Sequence, residues 1–486
     1  MPKSYIFLLF FFLYSIALLY FGKSGYRETE TINDFFVGGK RLGLFACVST
    51  FVATWFSAAS MQGLPGLIYT YGYAFVFYSV IPWFIGASFL ILLAPKLRAS
   101  GAITIPEYLN LRYESKSIQV FGGLIVLLNF ILYIVIQIRG FGIVISEFLE
   151  IPYTLAILIV YIFVLYTTFG GLFSIARSDG FNMFIVCMGV LIAVIMILER
   201  VGGIALLFEK ARMIEGFAID GYSYYTPKGS LLHPLAGGNM PLISLVSAFF
   251  GWGLGISTNP QYTARIIAAK DDKTAVNMIK TAIALLILIY ASIIVIGLGS
   301  RVIMPMVEGV ESIDAIFPFI FNSLLPSQIS GLVFLSIMAA AISTANSQLL
   351  VAASSFVYDV LEVLSKKEHS DEVLLTISRA VVFAAGSISL VLALSPPESL
   401  LVYGGYIWGM FSVSFLIPLY GGAFWAKATR KGAIYSMFAG LSVMLVLIVY
   451  NYESQSIFDL NPAMPGVIVS ASVFYAVSRL EGAGIL

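Results

Sequence analysis

The sequence predicts an all-α integral membrane protein of about thirteen transmembrane helices, with a core of two five-helix blocks that enter the membrane in opposite senses. Three observations predict it: scarce and clustered charge, basic residues that alternate between loops, and interruptions at matching places in two apolar segments. Of 486 residues, 59% are hydrophobic and 11% charged, against about 25% charged in soluble domains. No Asp, Glu, Lys, Arg or His occurs over the 54 residues from Leu42 to Pro95, or over the 44 from Ala315 to Tyr358. About 20 apolar residues cross a bilayer, so the first run holds two crossings and the second a long or re-entrant one.

Taken in order, the apolar windows place spans near 4–22, 44–70, 73–95, 119–148, 152–169, 181–199, 240–258, 278–300, 329–358, 375–395, 399–425, 432–450 and 464–478. The first is long for a signal peptide and has no clear small-residue cleavage site. Nineteen Lys and Arg fall in alternate loops and the C-terminal tail, and six on the other side. Cytoplasmic loops carry the basic excess, so the expected orientation in a plasma (inner) membrane is N-terminus outside and C-terminus cytoplasmic. The net charge of +1 gives no attraction to nucleic acid. Cys47 and Cys187 fall in separate spans, which leaves no disulfide framework. The longest loop, about 200–239, is too short for an ATP-driving or kinase domain. His233 and His369, both in loops, form no catalytic or metal constellation, so the chain does not read as an enzyme. Nor does it carry the fourfold filter or charged ring of a channel.

A break inside a spanning helix is tolerated only where protein or water replaces the lost backbone hydrogen bonds. The second span runs through Ser57-Ala-Ala-Ser60-Met-Gln62 into Gly63-Leu-Pro65-Gly66, and the seventh through Gly251-Trp252-Gly253-Leu-Gly255-Ile256-Ser257-Thr258-Asn259-Pro260. These spans open two blocks of five. Because five is odd, the second block is inverted, the pattern of a secondary transporter with a site near the membrane midplane. The expected division is 1–43 for an extra helix and cytoplasmic loop, 44–200 for the first repeat, 201–239 for an external loop, 240–425 for the second repeat, and 426–486 for two further helices and a tail.

In the ninth span Ser343 and Ser347 share a helix face, with Thr344 and Gln348 beside them. Such residues serve either as interhelical hydrogen-bonding groups or as oxygen ligands for a hard cation. In the fourth span Tyr133 and Gln137 lie one turn apart, and either line a cavity or make interhelical contacts. Arg139 follows them. An intramembrane arginine marks function unless it snorkels to the interface. Asp179, near the start of the sixth span, has the position of a carboxylate favoured by a helix N-terminus.

Gly63-Leu-Pro-Gly66, Thr104-Ile-Pro-Glu-Tyr108, Tyr166-Thr-Thr-Phe-Gly-Gly171, Arg177-Ser-Asp179 and Ala340-Ala-Ile-Ser-Thr344 with Gln348-Leu-Leu350 occur in the order and spacing of one family. In these the chain resembles the solute-sodium symporters, which include carriers of proline, pantothenate, sialic acid and glucose on a five-plus-five, leucine-transporter-like fold. The resemblance implies a cotransported sodium ion, no organic cofactor, alternating access within a functional monomer, and import of a small organic solute. It places sodium on the carbonyls of Ala53, Phe56 and Ala340 and the hydroxyls of Ser343 and Thr344. In some relatives the counterparts of Asp179, Asn346 and Ser347 form a second sodium site. Solute contacts are expected from Ser57, Ser60, Tyr133, Gln137, Trp252, Ile256 and Pro260. Proline carriers have a tyrosine where this chain has Ile256, and sugar carriers a glutamine near Ser60. Pro396-Pro-Glu398 and the ninth-span motif look closest to pantothenate carriers. The resemblance thus implies a carboxylate-bearing solute, pantothenate-like or a monocarboxylate, with proline, another amino acid, or sensing without transport as alternatives.

Overall fold

The computed structural model describes residues 3–221, 223–310, 312–365, 367–395, 399–450 and 460–483. Lys366, one of the nineteen basic residues counted above, and Pro396-Pro-Glu398 lie outside the described residues. The apolar helices that build the membrane core and its flanks, in chain order, are α1 (Lys3–Glu28), α2 (Leu44–Trp55), α3 (Ala59–Tyr71), α4 (Val76–Ala99), α5 (Lys116–Leu149), α6 (Tyr153–Thr168), α7 (Gly171–Val201), α8 (Leu242–Ala268), α9 (Asp272–Ile303), α10 (Ile313–Leu324), α11 (Gln328–Leu364), α12 (Asp371–Leu392), α13 (Leu400–Phe424), α14 (Arg430–Tyr450) and α15 (Ala463–Gly482). Among the described residues eleven helices are long and apolar enough to cross a bilayer, and the bent pair α2–α3 adds a twelfth. The remaining expected span coincides with α6, an apolar helix of 16 residues. All thirteen predicted segments are therefore helical.

The two blocks of five are α2/α3 to α7 and α8 to α13, with α10 inserted into the second. The sequence predicts no separate α10, because all of it after Asp314 falls in the charge-free run that continues into α11. Burial ranks the helices. The most apolar stretch of α11 is 83% buried, against 28% for α1 and 33% for each of α14 and α15. The core thus forms around α11, and the helices outside the repeats turn most of their surface to lipid. Outside the membrane the chain forms few ordered elements; one is a two-stranded antiparallel ribbon that pairs Gly216 with Thr226 and Phe217 with Tyr225. Arg301 fastens it by donating to the carbonyls of Gly216 and Phe217.

Helix α2 ends at Phe56, whose backbone is extended (φ −71°, ψ 125°), and the chain resumes as α3 at an angle of 61°. The cause is local. The Ser57 amide donates to the Ser60 hydroxyl at 2.9 Å, while the Ser60 amide reaches the Ser57 hydroxyl at 3.4 Å. This reciprocal exchange satisfies donors that a new helix start would otherwise leave open. The break therefore lies at residues 56–58 and not in Gly63-Leu-Pro-Gly66. Those residues stay helical, with a π turn over Ala59–Gly63 and Pro65 in the first turn of the α-helical segment, where its missing N–H is tolerated. Gly66 is needed for packing: a Cβ there would lie 2.2 Å from the Ile313 carbonyl oxygen of α10.

The interruption of α8 is milder. The glycines Gly251 and Gly253 fall in a π turn over Phe249–Gly253, and the backbone leaves the helix only at Asn259 (φ −74°, ψ 123°). The Asn259 side chain then caps the next segment by accepting from the Gln261 amide at 2.9 Å. The α8 helix bends by less than the α2–α3 pair and still reads as a single span.

Candidate functional site

Helix α2 ends without a continuing turn, so its last carbonyls lack intrahelical partners. Two adjacent hydroxyls of α11 meet them. Ser343 Oγ donates to the Ala53 carbonyl at 2.8 Å and to the carbonyl of Ala340, one turn back, at 3.0 Å. Thr344 Oγ1 donates to the carbonyl of Phe56 and reaches that of Thr54 at 3.3 Å. The structure thus brings together all five residues of the expected sodium set, and each is buried. These are neutral oxygens, the ligand type that suits a hard monovalent cation.

Residue 57 follows Phe56 directly and lines a small cavity. Its walls are Trp55, Ser57, Ala59 and Ser60 at the break, Trp83 of α4, Tyr133 of α5, Trp252 of α8, Tyr290 of α9, and Leu401 and Trp408 of α13. Every wall residue is buried. Ser57, Ser60, Tyr133 and Trp252, expected at the solute site, are all on the wall. Ile256 and Pro260 are buried on α8 beyond it. Gln137 acts from behind: its Oε1 accepts from the Ala58 amide at 3.0 Å, so it caps the start of α3. Gln62 makes the return contact to the Gly140 carbonyl at 2.9 Å. No charged side chain lies on the described wall.

Asp179, Asn346 and Ser347 are near one another only through intermediaries. Helix α7 starts at Gly171, so Asp179 lies about two turns inside it and is not a first-turn carboxylate. Its Oδ2 accepts from Thr50 of α2 at 2.5 Å. Arg265 of α8 reaches the same Thr50 hydroxyl at 3.4 Å and donates to the Ser347 hydroxyl and, at 3.1 Å, to the Gln261 carbonyl. The Asn346 oxygen accepts from Thr167 at 2.8 Å and Thr168 at 3.1 Å, the two threonines of the Tyr166-Thr-Thr-Phe-Gly-Gly171 motif. The sequence reading counts Arg265 among cytoplasmic loop residues. In the structure its side chain is fully buried. Gln348 meets Gln261 at 3.3 Å, and Gln261 meets the Thr54 carbonyl at 2.9 Å, which links α11 through α8 to the end of α2.

Two further contacts fix the ends of the core. Arg139 does not snorkel: its side chain is 8% exposed and lies 3.6 Å from Asp314 of α10, whose Oδ2 also accepts from the first amide of α13, that of Leu400, at 3.0 Å. At the opposite end, Thr104 of the Thr-Ile-Pro-Glu-Tyr motif caps the helix Ile105–Tyr113 and donates to Asp359 of α11 at 2.6 Å. Sequence reasoning did not single out Trp55, Trp83, Tyr290, Leu401, Trp408 or Arg265. The available signal was that four of the five tryptophans fall inside spans of the two repeats, well away from the interfaces where membrane proteins concentrate them.

The family profile described as the sodium:solute symporter family matches residues 35–440. The osmoregulated proline transporter OpuE of Bacillus subtilis (strain 168) is 27% identical over 94% of this chain and 93% of its own. A sodium/proline symporter of Staphylococcus aureus (strain JH9) is 26% identical over 96% and 91%. Among solved structures, a Na⁺-coupled sialic acid symporter in a substrate-bound outward-open state superposes with a TM-score of 0.79 at 20% identity, covering 98% of this chain and 97% of that one. A nucleobase-cation-symport-1 family transporter in a closed conformation gives 0.51 at 14% identity, over 92% and 94%. At those identities the structures speak for the fold, which is that of five-plus-five, leucine-transporter-like symporters, while the match of residues 35–440 speaks for descent. On that match, this multi-pass membrane protein belongs to the sodium:solute symporter family.

Proposed function

We propose that the protein imports a small carboxylate-bearing solute together with sodium, and that sodium binds at Ala53, Phe56, Ala340, Ser343 and Thr344. The observation that carries this reading is the meeting of the Ser343 and Thr344 hydroxyls with carbonyls at the end of α2, one residue before the cavity wall. An ion there ties α2 to α11 and fixes the angle of the break, which sets the positions of Ser57 and Ser60. Sodium and solute then stabilise the same conformation, and differential affinity for that conformation is what moves an alternating-access equilibrium. Release of both ligands follows when the repeats rock toward the inside.

Cavity chemistry narrows the solute. The indole nitrogens of Trp83 and Trp252 lack a hydrogen-bond acceptor among the described residues. Buried donors are costly to leave unpaired, and a carboxylate supplies acceptors. Proline is a second reading, favoured by relatives that carry that name over nearly the whole chain. Asp179, Asn346 and Ser347 enter the proposal as a polar relay around Arg265. The guanidinium already brings a positive charge among them, and we assign one sodium per solute. The orientation is N-terminus outside, C-terminus cytoplasmic, in a plasma membrane.

Uptake by purified protein in proteoliposomes tests the reading. An inward sodium gradient should drive accumulation of labelled proline or a short monocarboxylate above equilibrium, and an equal potassium gradient should not. Equal uptake under both gradients would remove sodium coupling. Sodium-dependent binding with no uptake would point to the sensor alternative.

A further inference from the structure

The wall of the central cavity combines two features that single out a kind of solute. Four of the chain's five tryptophans, Trp55, Trp83, Trp252 and Trp408, enclose it together with Tyr133 and Tyr290. These rings come from α2, α4, α8, α13, α5 and α9, so their convergence is a property of the assembled core and of no single helix. They do not form one stack. Trp83 and Trp252 meet at 79°, Trp252 and Trp408 at 63°, and Trp83 and Tyr290 at 59°, with centroids 5.1–5.3 Å apart. Rings at steep mutual angles build the walls of a box.

The second feature is the type of polar group available. No Asp or Glu lies on the described wall, and the serine hydroxyls at the break are engaged with each other's backbone. A primary ammonium, with three N–H donors to satisfy, finds few acceptors here. A cation without such donors loses nothing by that, and aromatic faces attract it through the ring quadrupole, as in the aromatic cages that hold quaternary ammonium groups. The unpartnered groups are instead donors: the indole N–H of Trp83 and Trp252. Donors at a wall call for an anion. A cage for a bulky onium and donors for a carboxylate define a zwitterion.

Resting on the symport reading above, we propose that the transported solute is a small zwitterion whose cation is an N-alkylated ammonium, a betaine-type or N-methylated amino acid, boxed by the tryptophans. Its carboxylate meets the free indole donors. The charge on nitrogen, and not merely the bulk of its methyl groups, makes the difference to the rings.

The test compares ligands of equal shape on the full-length wild-type protein, by quenching of intrinsic tryptophan fluorescence in sodium and in potassium. The probes are glycine betaine, its neutral isostere 3,3-dimethylbutanoate, N,N-dimethylproline, proline and glycine. The expected result is sodium-dependent binding in which a methylated ammonium binds at least about tenfold tighter than the neutral isostere and than glycine. Trp252→Leu, which keeps apolar bulk and removes a ring, should lower the affinity for that ligand about tenfold and that for the isostere far less. Binding of the isostere as tightly as glycine betaine would overturn the proposal. So would sodium-dependent binding of proline with no methylated ligand bound, or no binding by any probe. The proline outcome leaves sodium-coupled symport standing. Binding of equal strength in sodium and potassium instead strikes the symport reading itself.

Discussion

At the scale of single residues, the proposed coupling rests on Ser343 and Thr344. Their backbone directions differ by about 100°, yet each hydroxyl reaches a different carbonyl at the end of α2. Ser343→Ala or Thr344→Ala leaves four of five oxygens and strands a buried carbonyl. A loss of about 1–3 kcal/mol corresponds to roughly five- to over a hundredfold in the sodium concentration for half-maximal uptake. Thr344→Ser keeps the oxygen and should be mild. If the hydroxyls only join helices, Ser343→Ala lowers thermal stability equally with and without sodium. Trp252→Ala should act on the other ligand, raising the solute concentration for half-maximal uptake at saturating sodium; unchanged solute kinetics would remove Trp252 from the site. With Arg265 among Asp179, Asn346 and Ser347, sodium activation should be hyperbolic, with a Hill coefficient of about one. A sigmoidal curve would restore the second ion.

At the scale of elements, the buried pair Arg139–Asp314 joins α5 to α10 and to the start of α13. Asp314→Asn keeps an acceptor for the Leu400 amide but removes the carboxylate charge that faces Arg139. Breaking a buried pair on one side costs about 3–5 kcal/mol, so the variant should melt well below wild type in detergent; an unchanged melting temperature would show that the pair is not structural. The elements also show what a sequence can carry. Charge-free runs and basic alternation placed every span, because the bilayer acts on each segment separately. The position of the break was read two turns late, since Gly and Pro dominate the composition while the chain parts at Phe56, where Ser57 and Ser60 exchange hydrogen bonds. The Ser343 and Thr344 contacts were legible through family motifs. Trp83, Tyr290 and Trp408 were not, because a cavity formed by α4, α9 and α13 depends on how distant helices cross. The same holds for Arg265, which looks like an interfacial residue until α8 is packed against α2, α7 and α11.

At the scale of the whole molecule, the proposed orientation rests on nineteen basic residues against six. With Cys47 and Cys187 replaced, Ser370→Cys, on the exposed connection before α12, should resist an impermeant thiol reagent in intact cells and react once the membrane is opened. Labelling from outside would reverse the topology. The larger claim is that one conformation serves both ligands: sodium at the junction of α2 and α11 and solute among the rings beside it. Linkage then requires that each ligand raise the affinity for the other by the same factor. The tryptophans around the cavity give a direct optical readout. The decisive measurement is a solute titration followed by tryptophan fluorescence at several sodium concentrations, repeated as a sodium titration at several solute concentrations. The account predicts that solute affinity rises with sodium, that sodium affinity rises with solute by an equal factor, and that potassium does neither. Solute affinity that is the same in sodium and potassium would contradict it.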